Sequence, residues 1–163
     1  MASPLLAGRT RQIAGRRDAR GSRLVDRGLR AATAAALVVD AVVHLWDAGF
    51  YDAVASPVVS QGTLFRLEAG GALLIALLLV VWPARVVWAA ALVVAATAAA
   101  AVLTYTYVDP GALGPLPDMY EPTWTLPGKV PSAVAEIVGT LLAAIGLVRA
   151  RRRRPTPIAP TEL

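Results

Sequence analysis

Arginine crowds both ends of this chain and nearly vanishes between them. Eight arginines fall in the first thirty residues (Arg9, Arg11, Arg16, Arg17, Arg20, Arg23, Arg27, Arg30), and five more lie from Arg149 to Arg154. Basic residues resist translocation against the membrane potential, so flanking Lys/Arg excess marks the cytoplasmic side of a span. Two basic ends therefore predict two cytoplasmic termini and an even number of crossings. Few folds meet that condition.

The stretch between the clusters supports the same conclusion. Hydrophobic residues make up 56% of the 163 positions, too many for an ordinary soluble domain of this size. The net charge of +5 would suit a nucleic-acid binder. The arginines abut apolar spans, however, and anionic headgroups account for them more simply, so no nucleic acid is expected. There is no cysteine, which excludes disulfides, thiolate metal sites and thiol redox chemistry together. Lysine occurs once, at Lys129, against fifteen arginines, and alanine is abundant. Such usage is associated with GC-rich bacterial genomes and suggests a bacterial plasma membrane.

A spanning helix needs about 20 apolar residues to match a hydrocarbon layer about 30 Å thick. Four segments qualify, at about 29–47, 63–82, 86–108 and 131–148. None has the alternating pattern of barrel strands, and open sheet edges do not survive in lipid, so the fold class is all-α, a polytopic bundle of four transmembrane helices. The short turn after the second span holds Arg85, with Trp82 and Trp88 flanking it as interfacial anchors. The other two loops carry Asp47 and Asp52, then Asp109, Asp118 and Glu121. Acidic loops outside and basic ones inside agree with the parity argument.

Residues 1–28 read as a basic arm, disordered or lying on the surface, and 149–163 as a basic, then Pro-rich tail. A cleaved signal peptide is the rival reading of the first span, with Ala53-Val54-Ala55 as the cleavage site. The long basic region before the span argues against it, as do Asp40 and His44 inside it. Arg16-Arg17 lacks the apolar followers of a twin-arginine signal.

Charges within spans are costly, about 2.5–3.5 kcal/mol each at the centre on insertion scales, so each requires a reason. Asp40 and His44 lie on the first helix, Glu68 on the second and Glu136 on the fourth. Counting along each helix places His44, Glu68 and Glu136 roughly 4–9 Å from the outer ends, Asp40 somewhat deeper and Tyr105 at a similar level. Asp40, His44 and Asp47 form one stripe at i, i+4, i+7. Glu68 shares its face with Gly71 and Ala72, and Glu136 with Gly139 and Thr140. Small residues allow close helix approach, so both faces should turn inward. The candidate intramembrane cluster is therefore Asp40, His44, Glu68, Glu136 and Tyr105. Asp47 lies at its periphery, as does Arg66, which should snorkel toward outer headgroups.

Such a cluster can bind a divalent cation, relay protons, hold a polar headgroup, or simply fix helix register through hydrogen bonds. Metal ligation has no signature in the spacing, since a lone His lacks an H-x-x-H or E-x-x-H partner; His44, Glu68 and Glu136 are weak candidates. No cofactor is implied, and no catalytic residue can be named because no nucleophile motif occurs. Gly70-Gly71 lies mid-helix and reads as packing rather than a phosphate loop. The Pro/Gly-rich segment 109–130 either caps the outer mouth or lies in the interface on its aromatics, the commoner arrangement.

Two further patterns complete the reading. Glu68–Val80 can be laid on Glu136–Val148, with Glu, Gly, Leu-Leu, Ala and Leu-Val coinciding. This suggests a parallel repeat of two hairpins, or chance between Leu- and Ala-rich helices. His44-Leu45-Trp46, Gly62-Thr63-Leu64-Phe65, the Pro/Gly-rich loop and Glu136 together resemble small four-helix integral membrane proteins of actinobacteria. In general plan the layout is similar to DoxX-like proteins. The resemblance spans about 120 residues and implies architecture and lineage, without an activity. The functional expectation is a non-enzymatic accessory subunit or small-ligand binder. The alternative is a membrane-embedded enzyme or an ion- or proton-coupled carrier using the His/Glu/Asp cluster. Expected partners are membrane lipids, with a membrane-protein partner or a second copy also compatible.

Overall fold

The computed structural model describes residues 4–152, with side chains from Gly21 onward. Four helices carry the fold: α1 (Pro4–Asp47), α2 (Gln61–Val81), α3 (Arg85–Tyr107) and α4 (Lys129–Arg152). A short 3-10 turn occupies Phe50–Ala53, and the described residues contain no strand. All four helices are long and apolar enough to span a membrane, α1 through Gly21–Asp47. The protein is an all-α polytopic four-helix bundle.

Local chemistry sets the helix ends. The Ser60 hydroxyl accepts from the Thr63 amide at 3.1 Å and caps α2. Pro83 forces the residue before it out of helical geometry, and α2 stops at Val81. Gly128 precedes α4 at φ +87°, a conformation that L side chains rarely adopt. α1 is the exception to expectation. The arm foreseen as disordered or surface-lying continues the first span as helix back to Pro4. Arg, Ala and Leu all have high helix propensity, and no proline follows Pro4 before Pro57, so Gly8, Gly15, Gly21 and Gly28 weaken the helix without ending it. The tail from residue 153 lies outside the described residues.

The packing is small-in, large-out. Ala34, Ala41, Ala69, Ala72, Ala76, Ala91, Ala95 and Ala143 are buried, whereas Leu67, Leu74, Leu77, Val80, Val93, Leu141 and Ile145 are exposed. Water would penalise such a surface heavily; lipid does not, and there small residues let helices approach. Buried Thr33 and Thr106 direct their hydroxyls to the carbonyls four residues back, at 2.8 and 2.6 Å. Their polar groups need no partner across the bundle.

α1 packs against α2 and α4, and α4 against α3, while α2 and α3 meet much more loosely. The ring is thus closed on three sides and slack on the fourth. At one end, Arg149 donates to Asp26 at 3.0 Å and Arg85 to the Ala150 carbonyl at 2.9 Å. These contacts gather the start of the first span, the α2–α3 turn and the end of α4. Trp88, expected as an interfacial anchor, is instead buried there, with its ring over Gly146. Trp82 is exposed. At the other end the long α3–α4 loop meets the α1–α2 loop, with Tyr51 donating to Glu121 at 2.8 Å and Ser56 to the Pro115 carbonyl at 2.6 Å.

Candidate functional site

The long-loop end of the bundle holds the intramembrane charges. Asp40 is 1% exposed and Glu136 3%. His44 Nδ1 lies 3.0 Å from Asp40 Oδ1, 3.1 Å from the Asp40 carbonyl and 3.4 Å from Glu68 Oε2. The i, i+4 step on α1 stacks imidazole on carboxylate, and α2 supplies the glutamate from alongside. α4 joins through Ser132, whose hydroxyl lies 2.7 Å from Glu136 Oε1 and 3.0 Å from Asp40 Oδ1. One hydroxyl proton cannot serve both oxygens at once, and one imidazole N–H cannot serve three acceptors. The cluster is short of donors. Asp40 Oδ2, both Glu68 oxygens and Glu136 Oε2 are buried without a hydrogen bond. Glu68 Oε2 is close enough to His44 for ionic attraction without forming a hydrogen bond.

Beside these groups lies a cavity of about 420 Å³. His44, Glu68, Ser132 and Glu136 form its polar wall; Leu67, Gly71, Val93, Val94, Ala98 and Val102 form an apolar wall along the slack α2–α3 seam. The Phe65 ring meets the His44 ring edge-on at 4.7 Å between centroids and limits its rotation. Met119, Glu121 and Gly128 also border the space, so the long loop caps the mouth rather than simply lying in the interface. Tyr51 anchors that cap. Burial, and then its bond to Glu121, push the Tyr51 phenol well above its ordinary pKa and keep it a donor.

Of the residues singled out from sequence, Asp40, His44, Glu68 and Glu136 share one contact network. Tyr105 borders the cavity, but no hydrogen bond among the described residues links its phenol to that network; its carbonyl instead accepts from the Glu121 amide at 2.8 Å. Asp47 lines the cavity and lies against Gly128, where a Cβ would collide with its carboxylate. Arg66 stays apart from the cluster. Rather than snorkelling free, it grips Asp52 with two bonds of 2.7 and 2.8 Å. That pairing holds the exposed Asp52 carboxyl below its usual range.

Ser132 was missed from sequence, although it sits four residues before Glu136 and so on the same face. Phe65, three residues before Glu68, was legible in the same way. Gly71 behaves unexpectedly. Read as a packing residue, it faces open space, with nothing within 4 Å of where its Cβ would be. The Gly139 face does pack: a Cβ added there would meet those of Ala95 and Ala36 at 3.5 and 3.6 Å. Comparison with known protein families, curated proteins and solved structures finds no match.

Proposed function

We propose that this protein is a non-enzymatic small-ligand binder of the bacterial plasma membrane, both termini cytoplasmic and the cavity near the outer face. The ligand is amphipathic, with a hydrogen-bond-donating or cationic head. The observation carrying this reading is the cavity itself: donor-poor carboxylates on one wall and an apolar wall along a loosely packed helix seam. The head would meet Glu68 and His44, and an apolar portion would lie between α2 and α3. Access from the lipid layer follows from the same slack seam. Arginine at both ends, with Asp52, Asp109, Asp118 and Glu121 in the long-loop region, supports the orientation. Membrane lipids are its environment; a membrane-protein partner or a second copy is compatible with its exposed apolar faces.

The alternative, an enzyme or an ion- or proton-coupled carrier, draws on the same carboxyl groups. Against transport, the core beyond the cluster is largely apolar. Ala72, Ile75, Ala76 and Leu79 of α2 pack with Leu37, Trp88 and Leu147, and among the described residues no hydrogen-bonded chain of polar side chains runs from the cluster to the arginine-rich end. Native mass spectrometry of the protein extracted from its own membranes tests the binding reading. We expect a retained small molecule in the wild type and its loss in Gly71→Leu, a substitution that adds bulk to the cavity wall at a position where a Cβ meets nothing within 4 Å. Recovery of the wild type with no bound molecule, or equal retention by the variant, would overturn it.

A further inference from the structure

The geometry points to a divalent transition-metal site formed by His44 and Glu68 of the cavity's polar wall together with the buried Asp40. It rests on the reading of that wall as a binding site and specifies what the wall binds first. One ligand atom from each residue lies within 4.8 Å of the other two. Metal–ligand bonds of about 2.0–2.2 Å to imidazole nitrogen and carboxylate oxygen place two ligands of one ion up to about 4.4 Å apart. Three donors this close need only a small rotation of Glu68 to share a centre.

Proximity alone would be a weak argument, because acidic groups gather without metals. The second observation is the set of unpaired lone pairs. Asp40, with a side chain only 2% exposed, leaves Oδ2 without a hydrogen bond, and Glu68 leaves both oxygens so. Stranded carboxylate oxygens are expensive in a low-dielectric layer, and a cation satisfies several at once. Among the described residues, the cations at this end of the bundle are directed elsewhere. Arg66 is bound to Asp52, and Lys129, although it borders the cavity, donates to the Glu121 carbonyl and lies over the Trp124 ring at 5.3 Å. The remaining groups facing the cluster are Tyr105 from α3, Tyr51, Asp47, Glu121 and Glu136, none of them basic. One imidazole therefore stands against three carboxyl groups, those of Asp40, Glu68 and Glu136.

The donor set selects the ion. Mixed imidazole and carboxylate ligands suit Mn²⁺, Fe²⁺ or Zn²⁺, whereas Ca²⁺ takes six to eight oxygens and the absence of cysteine removes thiolate-seeking sites. Glu136, tied to Asp40 through Ser132, orients that carboxylate from behind, as outer partners of metal ligands do. The adjoining cavity leaves coordination positions open and provides an entry path.

The test uses full-length protein carrying no histidine tag, stripped with chelator and then titrated separately with Mn²⁺ and Zn²⁺. We expect one ion per chain, with nitrogen coupling in the Mn²⁺ electron spin-echo spectrum. His44→Gln should abolish that coupling, and His44→Gln and Glu68→Gln should each weaken affinity at least about tenfold. Asp109→Asn and Asp118→Asn, carboxylates of the long loop that do not line the cavity, should bind normally. Failure of the wild type to bind either ion near stoichiometry overturns the site without recourse to variants. Binding that survives both triad substitutions, or that falls equally in the two controls, overturns it as well. Retention of an organic molecule that Gly71→Leu displaces, in protein that binds no metal, would sink the metal site and leave the binder standing. Failure of both measurements would sink both.

Discussion

α2 and α4 carry the same pattern, a glutamate followed three residues later by glycine and then a Leu-Leu pair, yet the fold treats them differently. Glu136 is 3% exposed and bonded to Ser132, and a Cβ at Gly139 below it would touch Ala95 of α3 and Ala36 of α1. The Glu68 side chain is 20% exposed and shares its ionic contact with one imidazole, while Gly71 faces the cavity. The cause is position in the ring. α4 lies between two close neighbours, whereas α2 packs firmly on α1 and loosely on α3. A small residue brings helices together only when a partner occupies that face; otherwise it leaves room.

Glycine substitutions test this contrast most severely. At Gly146 of α4 a Cβ collides with the buried Trp88 ring, so Gly146→Val should cost about 1–3 kcal/mol, the range for overpacking, or prevent folding. Gly139→Leu should cost a similar amount. Gly71→Leu on α2 should fall within about 0.5 kcal/mol of wild type, as substitutions free of clashes do. Unfolding of the three variants in a fixed detergent mixture measures the order. Equal destabilisation at 71 and 139 would break the comparison.

The helix starts differ in the same sense. Gly128 leads into α4 at φ +87° against Asp47 and Val43, so Gly128→Ala should lose about 1–2 kcal/mol to backbone strain before any clash is counted. The carboxyl groups should rank likewise. Glu136→Ala removes the nearer acceptor of the buried Ser132 hydroxyl, leaving it Asp40 Oδ1, and should cost about 0.5–1.5 kcal/mol, and Glu68→Gln less, because no hydrogen bond to Glu68 is lost.

The smallest effect belongs to the exposed Asp52–Arg66 clamp at the α2 start. Its contribution is present above the ordinary carboxylate pKa of about 3.9 and is lost as pH falls through the lowered folded value. Wild type and Arg66→Gln should therefore differ in amide exchange at the α1–α2 loop near neutral pH and converge in strong acid. Because the pair is exposed, high salt should shrink the difference. A gap that persists in acid would show that the arginine acts through packing.

The four spans and four members of the polar layer were legible in the chain, whereas Ser132 was missed and Tyr105 was counted in without joining the network. Asp40, His44, Glu68 and Glu136 stood out because a charge within a span is costly wherever it points. Trp88 was misread because a tryptophan beside a turn suits an interface and a core equally, and only Gly146 on another helix decides between them. The long loop was left between a cap and an interfacial segment for a related reason: Tyr51 and Glu121 are seventy residues apart, and neither carries a local signal.

Span length, charge placement and helix type are properties of one segment meeting one solvent, so the sequence by itself determined them. Bilayer thickness and the need to satisfy every backbone group leave little else to choose. Which helix neighbours which is a property of pairs, and only the tertiary structure decided it. Depth along a helix can be counted from sequence, but rotation and spacing follow from side chains of other helices meeting in three dimensions. That is why identical Glu-x-x-Gly patterns became a tight joint in α4 and one side of a cavity in α2.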